Sequence, residues 1–173
     1  VYKRQEEYPE AAIISEWSRP HTSIGAGFHS DFYLDHDNNG YRYLFREKDK
    51  ETGECKAVFS KNGKGDITKF LDDYLDELKA IKGKGYISFI TCNHDTPRMT
   101  KMFSPLEAKL AYSFVFLMPG VPFLYYGDEI GMKFMEGLQS KEGGFSRTGT
   151  RTPMQWDDSA NHGFSTASAD KLY

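Results

Sequence analysis

The chain has 173 residues, a size that suits one domain or a piece of a larger one, and carries 22 Lys and Arg against 25 Asp and Glu for a net charge of -3. That balance leaves no basic footprint, so nucleic acid is not expected as a partner; aromatics at 15% of residues, with 13 Phe and 11 Tyr, supply a core and argue against disorder. Cys55 and Cys92 form neither a CxxC pair nor a disulfide framework, which favours a reducing, cytoplasmic setting and leaves a single disulfide open.

The start, VYKRQEEYPE, has no initiator Met and no apolar h-region, so no signal peptide is visible and the chain reads as an excerpt. Ala11–Ile14 is a short continuous apolar run, the pattern of a strand buried on both faces, and it runs into the polar and aromatic string Ser15-Glu16-Trp17-Ser18. Gly27–Leu34 is the second expected strand, leading into Asp35-His36-Asp37-Asn38-Asn39-Gly40. Residues 47–65 are charged and Gly-containing, a surface excursion.

Asp66 opens an expected helix in which Ile67, Phe70, Leu71, Tyr74, Leu75, Leu78 and Ile81 recur at amphipathic spacing, with Asp66 as N-cap and Gly83 as the stop. Gly85–Cys92 is the third strand and ends at Asn93-His94-Asp95. Ser104-Pro105-Leu106-Glu107 is a capping box with Pro in the first helical position, so a helix starts there and stops at Pro119-Gly120. Val121–Tyr126 is the fourth strand, ending in Gly127-Asp128-Glu129. The uncharged stretch Leu110–Gly127 approaches the length of a membrane span, but Pro119, Gly120 and Pro122 break it. A buried helix followed by a buried strand is expected there, and no membrane partner.

The order strand, strand, helix, strand, helix, strand is an α/β pattern with a parallel sheet. Ligands in such folds bind at the carboxyl ends of the strands, so Glu16, Asn93-His94-Asp95 and Asp128-Glu129 are expected at one face. Two carboxylates there, Glu16 and Asp95, can divide acid, base and nucleophile roles when their surroundings push their pKa values apart, and glycoside hydrolysis is the chemistry most often built that way. Trp17 beside Glu16 is placed to exclude water from it. A surface carboxylate at a strand end is the competing reading.

Phe89-Ile90-Thr91-Cys92-Asn93-His94-Asp95-Thr96-Pro97-Arg98 resembles the Asn-His-Asp motif on the seventh barrel strand of the α-amylase superfamily. Met118–Met132, MPGVPFLYYGDEIGM, resembles that family's eighth strand and its lead-in, and Ala11–Trp17, AAIISEW, its fifth. Arg151–Asp157, RTPMQWD, is similar to a loop of the oligo-1,6-glucosidase, α-glucosidase and trehalose-synthase branch. The matches stand in family order and cover most of the chain.

The resemblance implies a partial TIM (β/α)8 barrel, strands 5 to 8 with intervening helices, with residues 1–173 the C-terminal part of a catalytic domain and 132–173 mainly loop. It implies a retaining glycoside hydrolase acting on α-glucosidic bonds in starch- or isomaltose-type oligosaccharides. Glu16 would be the general acid/base, and Asp95 would bind the sugar hydroxyls and favour an oxocarbenium-like transition state. His94 would donate to the same hydroxyls from Nε2, with Asn93, Arg98 and Trp17 lining the substrate. Arg98 has a surface position after a Thr-Pro turn as its alternative. The family's nucleophile, an Asp in a Gly-x-Arg-x-Asp context on the fourth strand, has no counterpart before Glu16. The chain alone is therefore expected to be inactive, with the N-terminal half of the barrel as its partner. A trehalose-synthase-like transglycosylase and a non-catalytic carbohydrate-binding or partner subunit are the alternatives.

No cofactor is implied. His29, Asp31, Asp35, His36 and Asp37 match no metal spacing and read as a polar strand end, so no metal is assigned. His29 alternates with Phe28 and Phe32 and is a candidate pocket residue, against the alternative of a satisfied core histidine. Asp128 and Glu129 read as structural, meeting backbone N–H groups or a basic neighbour. Tyr125 and Tyr126 read as core, and Trp156 as packing its loop onto the barrel, with stacking on a sugar face together with Met154 as the alternative.

Overall fold

A computed structural model of the chain describes residues 2–34, 39–139 and 145–172. The chain forms two compact units, one of residues 1–91 and 102–123, the other of residues 92–101 and 124–173.

The first unit carries the regular structure. Its elements are α1 (Tyr2–Glu7), β1 (Ile14–Ser15), α2 (Pro20–Gly25), β2 (Ser30–Tyr33), α3 (Tyr41–Phe45), α4 (Thr68–Ala80), β3 (Tyr86–Ile90), α5 (Pro105–Leu117) and β4 (Val121–Phe123). The four strands make one sheet in sequential order, all parallel. The register sets Ser15 beside Asp31, Asp31 beside Ile87, and Phe89 beside Pro122. Parallel neighbours joined in order through helices are the repeating unit of a (β/α) barrel wall.

The strands are shorter than their apolar runs suggest. Residues 11–13 and 27–29 precede β1 and β2, and the run Leu124–Tyr126 leaves the sheet after β4. Tyr125 and Tyr126 are thus not strand core, and Tyr126 donates its hydroxyl to the Thr152 carbonyl at 2.7 Å. Three helices of five or six residues, α1, α2 and α3, stand where no helix was expected. Each is too short to show a repeating apolar period.

The two predicted helices are present. α5 starts with the full capping box: Ser104 Oγ accepts from the Glu107 amide, and Glu107 Oε2 accepts from the Ser104 amide at 2.6 Å. The same Glu107 side chain accepts from the Lys61 amide at 2.6 Å and so ties the 47–65 excursion to this helix. In α4 the cap differs from expectation. Asp66 accepts from Thr68, one position short of a true N-cap, while Ile67 occupies the cap without a side-chain bond.

The core is aromatic. Tyr33, Tyr41, Phe45, Phe59, Phe70, Tyr74, Phe89 and Phe114 make a continuous chain of tilted, stacked and edge-on ring contacts with centroids about 5 to 6.3 Å apart. Two of the buried phenols donate to backbone carbonyls, Tyr41 to Ile90 at 2.7 Å and Tyr74 to Pro119 at 3.0 Å. Gly40, at the start of α3, lies so close to Lys69 and Phe70 of α4 that any Cβ would collide with their backbone.

α5 is not the buried helix expected of Leu110–Gly127. It buries Ala108, Ala111 and Val115, while Leu106, Leu110 and Phe116 are exposed and Leu117 is 84% exposed. Val121 and Phe123 of the edge strand β4 are open as well. No helix among the described residues is long and apolar enough to cross a membrane.

Among its described residues the second unit has no strand. Beyond β4 its chain is held by the short 3-10 turns Phe145–Thr150, Ala160–Gly163 and Ala169–Lys171.

Candidate active site

The residues singled out from sequence divide between the units: Glu16, Trp17 and His29 in the first, Asn93, His94, Asp95 and Arg98 in the second.

In the first unit, Glu16 follows the last residue of β1 and is exposed at the carboxyl end of the sheet. The chain then turns through Trp17, Ser18 and Arg19 into α2. That turn includes Ser18 at φ 60°, a left-handed conformation rare for a residue with a Cβ. Trp17 is 65% exposed, so its ring does not form the water-excluding wall anticipated beside Glu16. Trp17 and Arg19 border a cleft of about 530 Å³ whose other wall carries Asp73, Asp76 and Glu77 of α4.

His29 lies before β2, level with Ile13, at the amino end of the sheet. Its Nδ1 accepts from the Ile13 amide at 3.0 Å, and the ring is exposed. The expectation that His29 lines a pocket with Glu16 is corrected by this placement: in a parallel sheet the two residues stand at opposite strand ends. Its neighbour Asp31 is the polar β2 residue that reaches the Glu16 turn. Of the five residues weighed for a metal, Asp35, His36 and Asp37 lie outside the described residues, and no group of three or more His, Cys, Asp or Glu fit to hold a metal occurs among the described ones.

The second unit builds its site on a tight turn. Asn93 Oδ1 accepts from the amides of Asp95 and Thr96, each at 2.9 Å, and from the Thr96 hydroxyl, an Asx turn that holds His94 and Asp95 outward. Asn93 therefore uses its side-chain oxygen to shape the turn. Asp95 Oδ1 accepts from Arg147 Nη1 at 2.6 Å and from Arg151 Nη2 at 2.9 Å, and His94 Nε2 stands 3.4 Å from Asp95 Oδ2. Arg151 also donates from Nε to the His94 carbonyl at 2.9 Å. Burial pushes the Asp95 pKa up, but the Arg147 hydrogen bond, the charges of His94 and Arg147 and the Arg151 hydrogen bond outweigh it and hold the carboxyl below its ordinary range.

Arg147 and Arg151 had no assigned role from sequence. They lie 52 and 56 residues beyond Asp95 in a loop without periodicity. The one local signal is two arginines four apart in RTGTR.

Arg98 is not at a rim. It is 1% exposed, its Nη1 donating to the Asp128 carboxylate at 3.1 Å and to the Tyr126 carbonyl at 2.7 Å. Its guanidinium also lies 4.9 Å from the ring centroids of both Tyr125 and Tyr126. Buried Cys92 donates its Sγ–H to Asp128 Oδ2 at 3.2 Å. Both cysteines are free thiols. Asp128 thus meets a basic neighbour, the structural role anticipated for it. Trp156 is 69% exposed and does not pack its loop down.

The family model of the α-amylase catalytic domain matches residues 3–173. The chain belongs to the α-amylase superfamily. It is 32% identical over 126 residues to an α-glucosidase of Apis mellifera, covering 65% of this chain and 22% of that protein. It is also 32% identical over 124 residues to an oligo-1,6-glucosidase of Parageobacillus thermoglucosidasius, covering 50% and 21%. These two likenesses put it with the glucosidase branch of the superfamily. An amino acid transporter heavy chain of Mus musculus is 36% identical over 81 residues, covering 46% of this chain and 12% of that one. The chain thus spans about a fifth of the length of the two glucosidases. No solved structure matches it.

Proposed function

We propose that the complete protein to which this chain belongs is a retaining glycoside hydrolase of α-glucosidic bonds in starch- or isomaltose-type oligosaccharides, and that this chain supplies strands five to eight of its barrel. The observation that carries the reading is Asp95: an exposed carboxylate after a parallel strand, in an Asn-His-Asp turn, held ionised by Arg147 and Arg151.

In this reading Glu16 protonates the departing glycosidic oxygen and then deprotonates the attacking water. Asp95 accepts hydrogen bonds from sugar hydroxyls and, as an anion, favours positive charge developing on the ring. His94 donates to the same hydroxyls, and Trp17 offers an aromatic face to a sugar. The covalent step needs a carboxylate nucleophile that this chain does not supply, so the isolated chain does not turn over. The apolar side chains left open on α5 and β4 support a partner segment, the N-terminal half of the barrel, against this face.

Hydrolysis of maltose and isomaltose by the complete protein, with the anomer of the released glucose followed by NMR, tests the reading. Release of α-glucose supports it. Rearranged disaccharide without net glucose would identify a transglycosylase instead. The likeness to a transporter heavy chain favours a second reading, a non-catalytic partner subunit. Absence of turnover together with sugar binding would establish that one.

A further inference from the structure

The turn that carries Glu16 is held by a buried carboxylate with no part in the chemistry above. Asp31, the second residue of β2, is 0% exposed. Its Oδ1 accepts from the Trp17 amide at 2.9 Å and its Oδ2 from the Arg19 amide at 2.7 Å. The Trp17 N–H belongs to the peptide unit that joins Glu16 to Trp17. The first bond therefore sets the orientation of that unit and, through it, the direction in which the Glu16 side chain leaves the backbone. The second bond sits on the far side of Ser18, whose φ of 60° costs free energy and persists only where its surroundings hold it.

A second tether acts on the same turn. The Ser18 hydroxyl accepts from the Leu34 amide at 2.8 Å and from Asn39 Nδ2 at 3.1 Å. A carboxylate removed from water is costly unless charge-assisted hydrogen bonds replace its hydration. An apolar residue would serve a strand core at lower cost. An amide would keep one acceptor but turn an NH2 group towards the other N–H. Both backbone donors are matched only by the two oxygens of an aspartate.

We propose that Asp31 is the positioning residue of the acid/base, fixing the strained Glu16–Arg19 turn so that Glu16 is aimed at the leaving-group oxygen. The proposal rests on the reading of Glu16 given above. It distinguishes Asp31 from a residue that only stabilises the fold, because misaiming an acid slows the reaction only where protonation is needed. The test is kcat/KM of the complete protein on two substrates: isomaltose, whose leaving group requires a proton, and α-glucosyl fluoride, whose leaving group hardly does.

In Asp31→Asn, isomaltose is expected to lose about tenfold or more relative to the fluoride, a fraction of the range typical of general acid catalysis. Ser18→Ala is expected to show the same selective loss to a smaller degree, and it decides the matter if Asp31→Asn does not fold. Equal losses on both substrates, or none, would overturn the proposal. Glu16→Gln serves as the control. A selective loss in that variant with equal losses in Asp31→Asn removes only the positioning role, whereas no selectivity in Glu16→Gln removes the acid/base reading itself.

Discussion

The Arg98 guanidinium and the Asp128 carboxylate form an ion pair at 3.1 Å, with side chains 0% and 2% exposed. Arg98 stands three residues after Asp95 and Asp128 five residues beyond β4, so the pair joins the two chain segments of the second unit. Arg98 Nε and Nη2 make no hydrogen bond among the described residues, and Asp128 together with the two tyrosine rings compensates the buried charge.

Removing one member leaves that charge uncompensated. Asp128→Ala is expected to destabilise the second unit by about 3–5 kcal/mol, the range for breaking a buried pair. Urea unfolding followed by amide exchange of residues 92–101 measures it. The double variant Arg98→Met with Asp128→Ala is expected to recover part of the loss, since replacing both charges removes the desolvation cost. A double variant no more stable than Asp128→Ala would count against this account of the pair.

Asp95 makes stability pH-dependent in a defined direction. Its folded pKa is lowered, so its contribution is fully present above the unfolded value, about 3.9, and is lost as pH falls through the lower folded value. Asp95→Asn is expected to show a shallower fall of the urea midpoint than the parent between about pH 5 and pH 3. The two ion pairs of Asp95, with Arg147 and Arg151, are open to solvent, so added salt should shrink the difference. Matching slopes for parent and variant would contradict the assignment.

The α5 cap gives a local test. Ser104→Ala removes the acceptor for the Glu107 amide and is expected to cost about 1 kcal/mol. Glu107→Gln has one acceptor oxygen where the carboxylate gives Oε1 to the Lys61 amide and Oε2 to the Ser104 amide. With that oxygen kept on the Ser104 amide the tie to Lys61 is lost, and the variant is expected to cost less than Ser104→Ala. Thermal unfolding of the two variants beside the parent measures both, and a loss in Glu107→Gln larger than in Ser104→Ala would show that the tie to Lys61 outweighs the cap.

Ser104-Pro105-Leu106-Glu107 and the amphipathic run after Asp66 were legible because capping and periodicity are local, so α5 and α4 follow from a few residues each. The strands were legible as apolar runs but not in extent. Hydrogen bonding to a neighbour decides where a strand begins, and His29, inside its apolar run, falls outside β2. The site was legible where a motif is contiguous, as at Asn93-His94-Asp95. Arg147 and Arg151 reach Asp95 from more than fifty residues away, and no local pattern marks such a pair. Asp31 was visible only as a polar residue in a strand. Its function lies in two backbone amides on β1's exit turn, which the parallel register brings beside it. The exposure of Trp17 was unreadable for the same reason, since neighbours distant in sequence decide it.

The most direct measurement is kcat of Glu16→Gln in the complete protein on an unactivated α-glucoside, with circular dichroism to confirm the fold. A fall of about 10²- to 10⁴-fold with an unchanged spectrum is the expected result. A folded variant that keeps more than about a tenth of the parent rate would contradict the assignment of Glu16 as acid/base, and with it the hydrolytic reading.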